Sequence, residues 1–118
     1  MFQLLDETSG NYIALKISGK ISSKDYDILI PLLEEAIKKE GELNIFCNMQ
    51  NFGGMEIKAA WRDFTFGMRN LKKFRRCALI GANSWVHWCV KFTNIFLRLE
   101  IRLFQLNQEE EAKKWLKG

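Results

Sequence analysis

Histidine is nearly missing from this sequence, and its scarcity removes the most versatile acid–base group. The one copy, His87, has Lys91 a helical turn away and no acidic residue within a dozen positions. It therefore lacks a sequence neighbour with which to form a triad or an acid–base pair. Cysteine is scarce too. Cys47, Cys77 and Cys89 are an odd number without CxxC or Cys/His ligand spacing. Each sits in an apolar run, which reads as reduced structural thiols rather than metal ligands or disulfides. A single proline and a charged fraction of 27% argue against disorder and against a linker-joined pair of domains. The longest stretch free of Lys, Arg, Asp and Glu, Cys77 to Val90, contains Asn83, Ser84 and His87. It is too short and too polar to span a bilayer. The start, Met1-Phe2-Gln3-Leu4-Leu5, runs into Asp6 and Glu7 without a secretory pattern. A cytoplasmic protein follows, with any membrane contact peripheral. Gly53-Gly54 is too short for a phosphate loop. Asp63 and Glu56 lie seven apart on one expected helix beside Arg62 and Lys58, the arrangement of solvated helix charges. The expectation is a protein that is not an enzyme and that carries no metal and no cofactor.

What is present suffices for one core. A chain of 118 residues that is 47% apolar fits a single domain over residues 1–118. The net charge of +4 conceals a division along the chain. Residues 1–56 hold five basic and nine acidic side chains, whereas residues 57–98 hold nine basic side chains against Asp63 alone. So local a cationic block can attract phosphate-bearing surfaces, lipid head groups, nucleic acid or acidic proteins, unless folding spreads it.

Phe2 to Asp6 and Tyr12 to Ser18 read as strands joined by the turn Glu7-Thr8-Ser9-Gly10-Asn11. In the second, Ile13, Leu15 and Ile17 alternate with Tyr12, Ala14 and Lys16, as a strand with one buried face does. Ser23, with Asp25 and Asp27 behind it, starts a helix. Its apolar face is Tyr26, Leu29, Leu32, Leu33, Ala36 and Ile37, and Pro31 inside it predicts a kink or a loose first turn. Leu43 to Met49, a near-continuous apolar run, reads as a third and central strand, followed by a loop at Asn51-Phe52-Gly53-Gly54. A second helix is expected over Glu56–Lys73, a strand over Cys77–Gly81, and a third helix over Ser84–Leu97. A strand over Glu100–Phe104 and a helix over Gln108–Lys117 end the chain. The order ββαβαβαβα predicts an α/β fold: a mixed, mainly parallel five-stranded sheet with about four helices, entered by an antiparallel hairpin.

That order and a set of residues in sequence make the chain resemble the SpoIIAA-like family, relatives of the STAS domains of bacterial anti-sigma-factor antagonists and sulfate transporters. The residues are Tyr26, Pro31, Phe52, Gly54, Ala59-Ala60-Trp61-Arg62-Asp63, Phe66-Gly67 and Phe74-Arg75-Arg76-Cys77-Ala78. They continue through Gly81, Trp85, Glu100-Ile101-Arg102-Leu103-Phe104 and Ala112-Lys113-Lys114-Trp115-Leu116. The sequence departs from the pattern at Asn70, where a histidine is expected, and at Met55, where a tryptophan is. The resemblance implies a STAS/SpoIIAA-like fold over the whole chain. Relatives that act as switches carry a phosphorylatable Ser or Thr at the start of the second helix, where free N–H groups and the helix dipole favour a phosphate. This chain has neither residue between Ser23 and Thr65, so that switch does not carry over.

The remaining signal is a surface. On the expected third helix, His87, Lys91, Asn94 and Arg98 occupy a stripe about 60° wide, while apolar residues cover about 220°. A single packed face needs about 100° to 140°. Some of Trp85, Trp88, Phe92, Ile95 or Leu97 is therefore surplus to one core contact. Packing on two sides, a dimer or partner interface, and an apolar ligand or lipid patch all account for it. On the second helix, Ile57, Ala60, Trp61, Phe64, Met68 and Leu71 read as the core face. Arg62, Phe66, Arg69 and Lys73, with Ala59, read as the outward face. The candidate binding residues are thus Arg62, Phe66, Arg69, Lys73, Trp85, Trp88 and Phe92. Their partner is expected to be a small apolar or anionic ligand or an anionic membrane surface. The alternative is a protein-interaction or homodimerisation module that uses the third helix. Nucleic acid ranks last, since no nucleic-acid motif is present.

Overall fold

A computed structural model describes residues 1–82, 86–87, 90–91 and 100–118, with the Leu71 side chain outside that set. Five strands form one sheet in the order β1-β2-β3-β4-β5. They are β1 (Phe2–Leu4), β2 (Tyr12–Ile21), β3 (Leu43–Met55), β4 (Phe74–Ile80) and β5 (Ile101–Phe104). β1 pairs antiparallel with β2 and every later pairing is parallel, as the strand–helix alternation requires. Three α-helices lie among the described residues: α1 (Ser23–Glu40), α2 (Ile57–Arg69) and α3 (Glu109–Lys117). Val86, His87, Val90 and Lys91 are also helical. The rest of the helix expected over Ser84–Leu97 is outside the described residues.

Side-chain alternation divides the interior into two layers. Ile13, Leu15 and Ile17 of β2 and Leu43, Ile45, Cys47 and Met49 of β3 point to one face, where they meet α1, Ala59 and Phe66 of α2, and Val86 and Val90. Ala14, Phe46, Ala78 and Ile80 point to the other, where Ala112 and Leu116 of α3 cover them. Arg75 and Arg76 fasten α3 by donating to the carbonyls of Leu116 (3.0 Å) and Trp115 (2.5 Å). Cations there meet the negative end of the helix dipole. Cys47 is buried and Cys77 half-buried, and both are free thiols. Burial pushes the Cys47 thiol well above its ordinary value, and burial with the nearby Asp63 charge pushes Cys77 up to about 12.

One segment differs from the sequence reading. Asn51-Phe52-Gly53-Gly54 is not a loop but the end of β3, still paired with Ser18–Ile21 of β2 through two register shifts. A Cβ on Gly53 would lie 3.2 Å from the Gly19 carbonyl carbon. Glycine here lets two backbones run close, the role it has at strand irregularities, rather than ending the strand.

Candidate functional site

α1 meets α2 through polar groups. The α1 start is set by Asp25, whose carboxylate accepts from the backbone N–H (2.8 Å) and hydroxyl (3.1 Å) of Ser22. Ser23 then offers its carbonyl to Arg62 at 2.6 Å and its hydroxyl oxygen at 3.2 Å. The same guanidinium is ion-paired with Asp27. One residue along α2, the Asp63 carboxylate accepts from the Tyr26 hydroxyl at 3.0 Å. Desolvation raises the Asp63 carboxyl above its ordinary value and the Tyr26 hydrogen bond works against that rise. Asp63 is exposed on the folded surface, so solvent screens its carboxyl and blunts the rise. Desolvation and the neighbouring Asp63 raise the Tyr26 hydroxyl in turn, which keeps it a neutral donor.

These contacts fix the rotation of α2 about its axis. Ala59, 0% exposed, and Phe66, 4% exposed, face the sheet with Arg62 and Asp63 beside them. Phe66 packs edge-on against Phe74, ring centroids 6.0 Å apart. At about 100° per residue, Ile57, Trp61, Phe64 and Met68 lie about 140° to 200° away from Ala59, on the far side of the helix. All four are exposed: Ile57 91%, Trp61 66%, Phe64 51% and Met68 45%. The Trp61 and Phe64 rings stack on one another, 6.1 Å apart and inclined by 28°.

The expected faces of this helix are therefore exchanged. Phe66, expected to face outward, is core. Ile57, Trp61, Phe64 and Met68, expected in the core, form the outward stripe. Arg62 is tied to α1. Arg69 and Lys73 are exposed as expected and, with Lys58 and Lys72, have no carboxylate within salt-bridge reach among the described residues. Trp85, Trp88 and Phe92 lie outside the described residues. Their neighbours Val86 and Val90 are buried, while His87 and Lys91 are exposed. The sequence reading missed the α2 stripe as a surface because an apolar stripe at helical spacing has the same pattern whether it faces a core or a partner. The signal that could have reversed it was Ala59 and Phe66 seven apart, flanking an Arg-Asp pair opposite Ser23, Tyr26 and Asp27.

At the α2 amino terminus no hydroxyl side chain is present in Met55-Glu56-Ile57. The Glu56 carboxylate instead accepts from the Ser23 backbone N–H at 3.2 Å. At the other end Asn70 donates its side-chain amide to the Phe66 carbonyl at 3.0 Å. Among the described residues no group of three or more His, Cys, Asp or Glu could hold a metal ion, and no helix is long and apolar enough to cross a membrane.

A parallel sheet with α1 and α2 on one face, α3 on the other and an antiparallel entry strand is the α/β architecture of SpoIIAA. The SpoIIAA-like family model matches residues 12–117, and the chain belongs to that family. An uncharacterised DUF3478-family protein with a SpoIIAA-like fold from Shewanella loihica is 30% identical, with a TM-score of 0.78 over 98% of this chain and 93% of that one. The anti-sigma factor antagonist SpoIIAA in its unphosphorylated form shares the fold at 14% identity, TM-score 0.69, over 100% of this chain and 99% of that one. The Bacillus cell fate determinant SpoIIAA in its phosphorylated form does so at 17% identity, TM-score 0.67, over 98% and 99%. No curated protein matches the chain.

Proposed function

We propose that this domain is a non-enzymatic binding module that docks on an anionic lipid surface through α2. The observation that carries the reading is the exposed stripe Ile57, Trp61, Phe64 and Met68 on a helix otherwise fixed to the fold. An apolar stripe of this kind on a folded surface marks a contact site. Exposed Lys58 and Arg69 lie along one edge of the stripe, with Lys72 and Lys73 just beyond the helix end. Apolar and aromatic side chains that enter the acyl boundary, beside cations that meet anionic head groups, define an interfacial helix. Each cation near such a surface contributes roughly 1 kcal/mol, screened by salt, whereas the apolar contribution persists in salt.

Co-sedimentation with phosphatidylcholine vesicles, with and without phosphatidylglycerol, tests this. Wild type pellets with the anionic vesicles. Lys72→Ala/Lys73→Ala weakens binding in low salt, and Trp61→Ala/Phe64→Ala abolishes it in low and high salt. Wild type that stays in the supernatant under every condition contradicts the proposal. If the Trp61→Ala/Phe64→Ala pair then converts a dimer to a monomer in light scattering, the stripe is a protein interface instead.

A further inference from the structure

The opposite face of the sheet carries a second feature, independent of α2. A cavity of about 620 Å³ opens at the amino-terminal ends of β2, β3 and β4, beside the last turn of α3. Its volume falls in the range of small-molecule sites. Asn44, at the start of β3, lines it and is only 8% exposed. The Asn44 side-chain oxygen accepts from Arg75 Nη1 at 3.2 Å, which fixes the amide orientation and directs the NH2 group away from Arg75. Among the described residues that NH2 group meets no acceptor, although buried amide donors are ordinarily paired.

Arg75, half-buried in the same wall, has a second departure from rule. Its two acceptors, Asn44 Oδ1 and the Leu116 carbonyl, are both neutral, and no carboxylate among the described residues comes within salt-bridge reach. Lys117 lines the cavity and is likewise without an ionic partner. Lys113 differs, being matched by Glu7 at 3.0 Å and Glu109 at 3.4 Å. Glu7 also accepts from Tyr12 at 3.0 Å, so its charge is engaged. Glu42 is the remaining acidic side chain in the lining, exposed at its rim.

We infer that this cavity is a binding site for a small oxyanion-bearing molecule, a carboxylate or a phosphate, held by Asn44 Nδ2, the free N–H groups of Arg75, and Lys117. A planar guanidinium beside an amide donor matches the geometry of such an anion. The site lies across the sheet from α2 and does not depend on lipid docking.

Titration of the 15N-labelled full chain with succinate, and separately with inorganic phosphate, tests the site and distinguishes the two chemistries. The expected result is a saturable shift of the Asn44 side-chain NH2 and Arg75 Nε–H signals with one or both probes. Lys117→Ala, an exposed position, keeps the spectrum dispersed and weakens the apparent affinity roughly threefold to tenfold. Asn44→Leu removes the response; should that variant not fold, Lys117→Ala and the location of the wild-type shifts decide. If neither probe moves these signals at tens of millimolar, or if Lys117→Ala binds as wild type does, the site does not exist and Arg75 serves only to fasten α3.

Discussion

α1 and α2 lie on the same side of the same sheet yet dock in opposite senses. α1 buries its apolar face, Tyr26, Leu29, Ile30, Leu33 and Ile37, and leaves its charges in water. α2 buries Ala59 and Phe66, turns Arg62 and Asp63 to α1, and leaves Ile57, Trp61, Phe64 and Met68 outside. Hydrophobic pattern alone orients a helix only when no polar partner competes. On α2 a small residue permits close approach, and two charge-assisted contacts select the rotation. The surrendered apolar burial is what leaves an apolar stripe exposed on α2.

The contrast breaks most sharply at Phe66. Phe66→Ala should destabilise the fold by about 3–5 kcal/mol, the ordinary result of emptying a packed aromatic site. Trp61→Ala and Phe64→Ala should each fall within about 0.5 kcal/mol of wild type in urea unfolding, because neither fills the core. The reverse ranking would return α2 to the rotation that the sequence pattern suggests. Next in size, Ala59→Leu should cost about 1–3 kcal/mol by overpacking the contact with the sheet. Tyr26→Phe follows at about 1–2 kcal/mol, since it withdraws a hydrogen bond from a charged acceptor.

The smallest effect is pH-dependent. Desolvation raises the folded carboxyl of Asp63 above its unfolded value, so folding favours the protonated form. The stability associated with that proton is complete below the unfolded pKa and is lost as pH rises through the folded pKa. Asp63→Asn, which can still accept from Tyr26, should therefore be more stable than wild type at neutral pH. The gap should close on acidification. A melting-temperature difference that widens toward low pH would reverse the sign and contradict this placement of Asp63.

The sequence carried most of the fold. Alternation in Ile13-Ala14-Leu15-Lys16-Ile17 and the apolar run at Leu43–Met49 identified β2 and β3, and strand–helix alternation implied the parallel sheet and its antiparallel entry. The end of β3 was illegible because Gly53-Gly54 reads locally as a breaker, whereas its role depends on Gly19, distant in sequence. The sense of α2 was illegible for a related reason. Its decisive contacts, Tyr26 with Asp63 and Ser23 and Asp27 with Arg62, join residues 35 to 39 apart, beyond the reach of any periodicity. Of the candidate site, Arg69 and Lys73 were legible as exposed cations because Lys58, Arg62, Arg69, Lys72 and Lys73 stand in a stretch with Asp63 as the one acid. Asn44 and Arg75 meet only through strand register and carry no local signal.

The central claim is that the exposed face of α2 enters a lipid surface, and quenching of Trp61 tests it most directly. The emission lost in Trp61→Phe isolates the Trp61 contribution from that of the other three tryptophans. With vesicles of brominated phosphatidylglycerol, this difference emission should be quenched when the protein binds, because the ring reaches the acyl boundary. Protein that binds while the difference emission stays unquenched, or that does not bind, would contradict the claim.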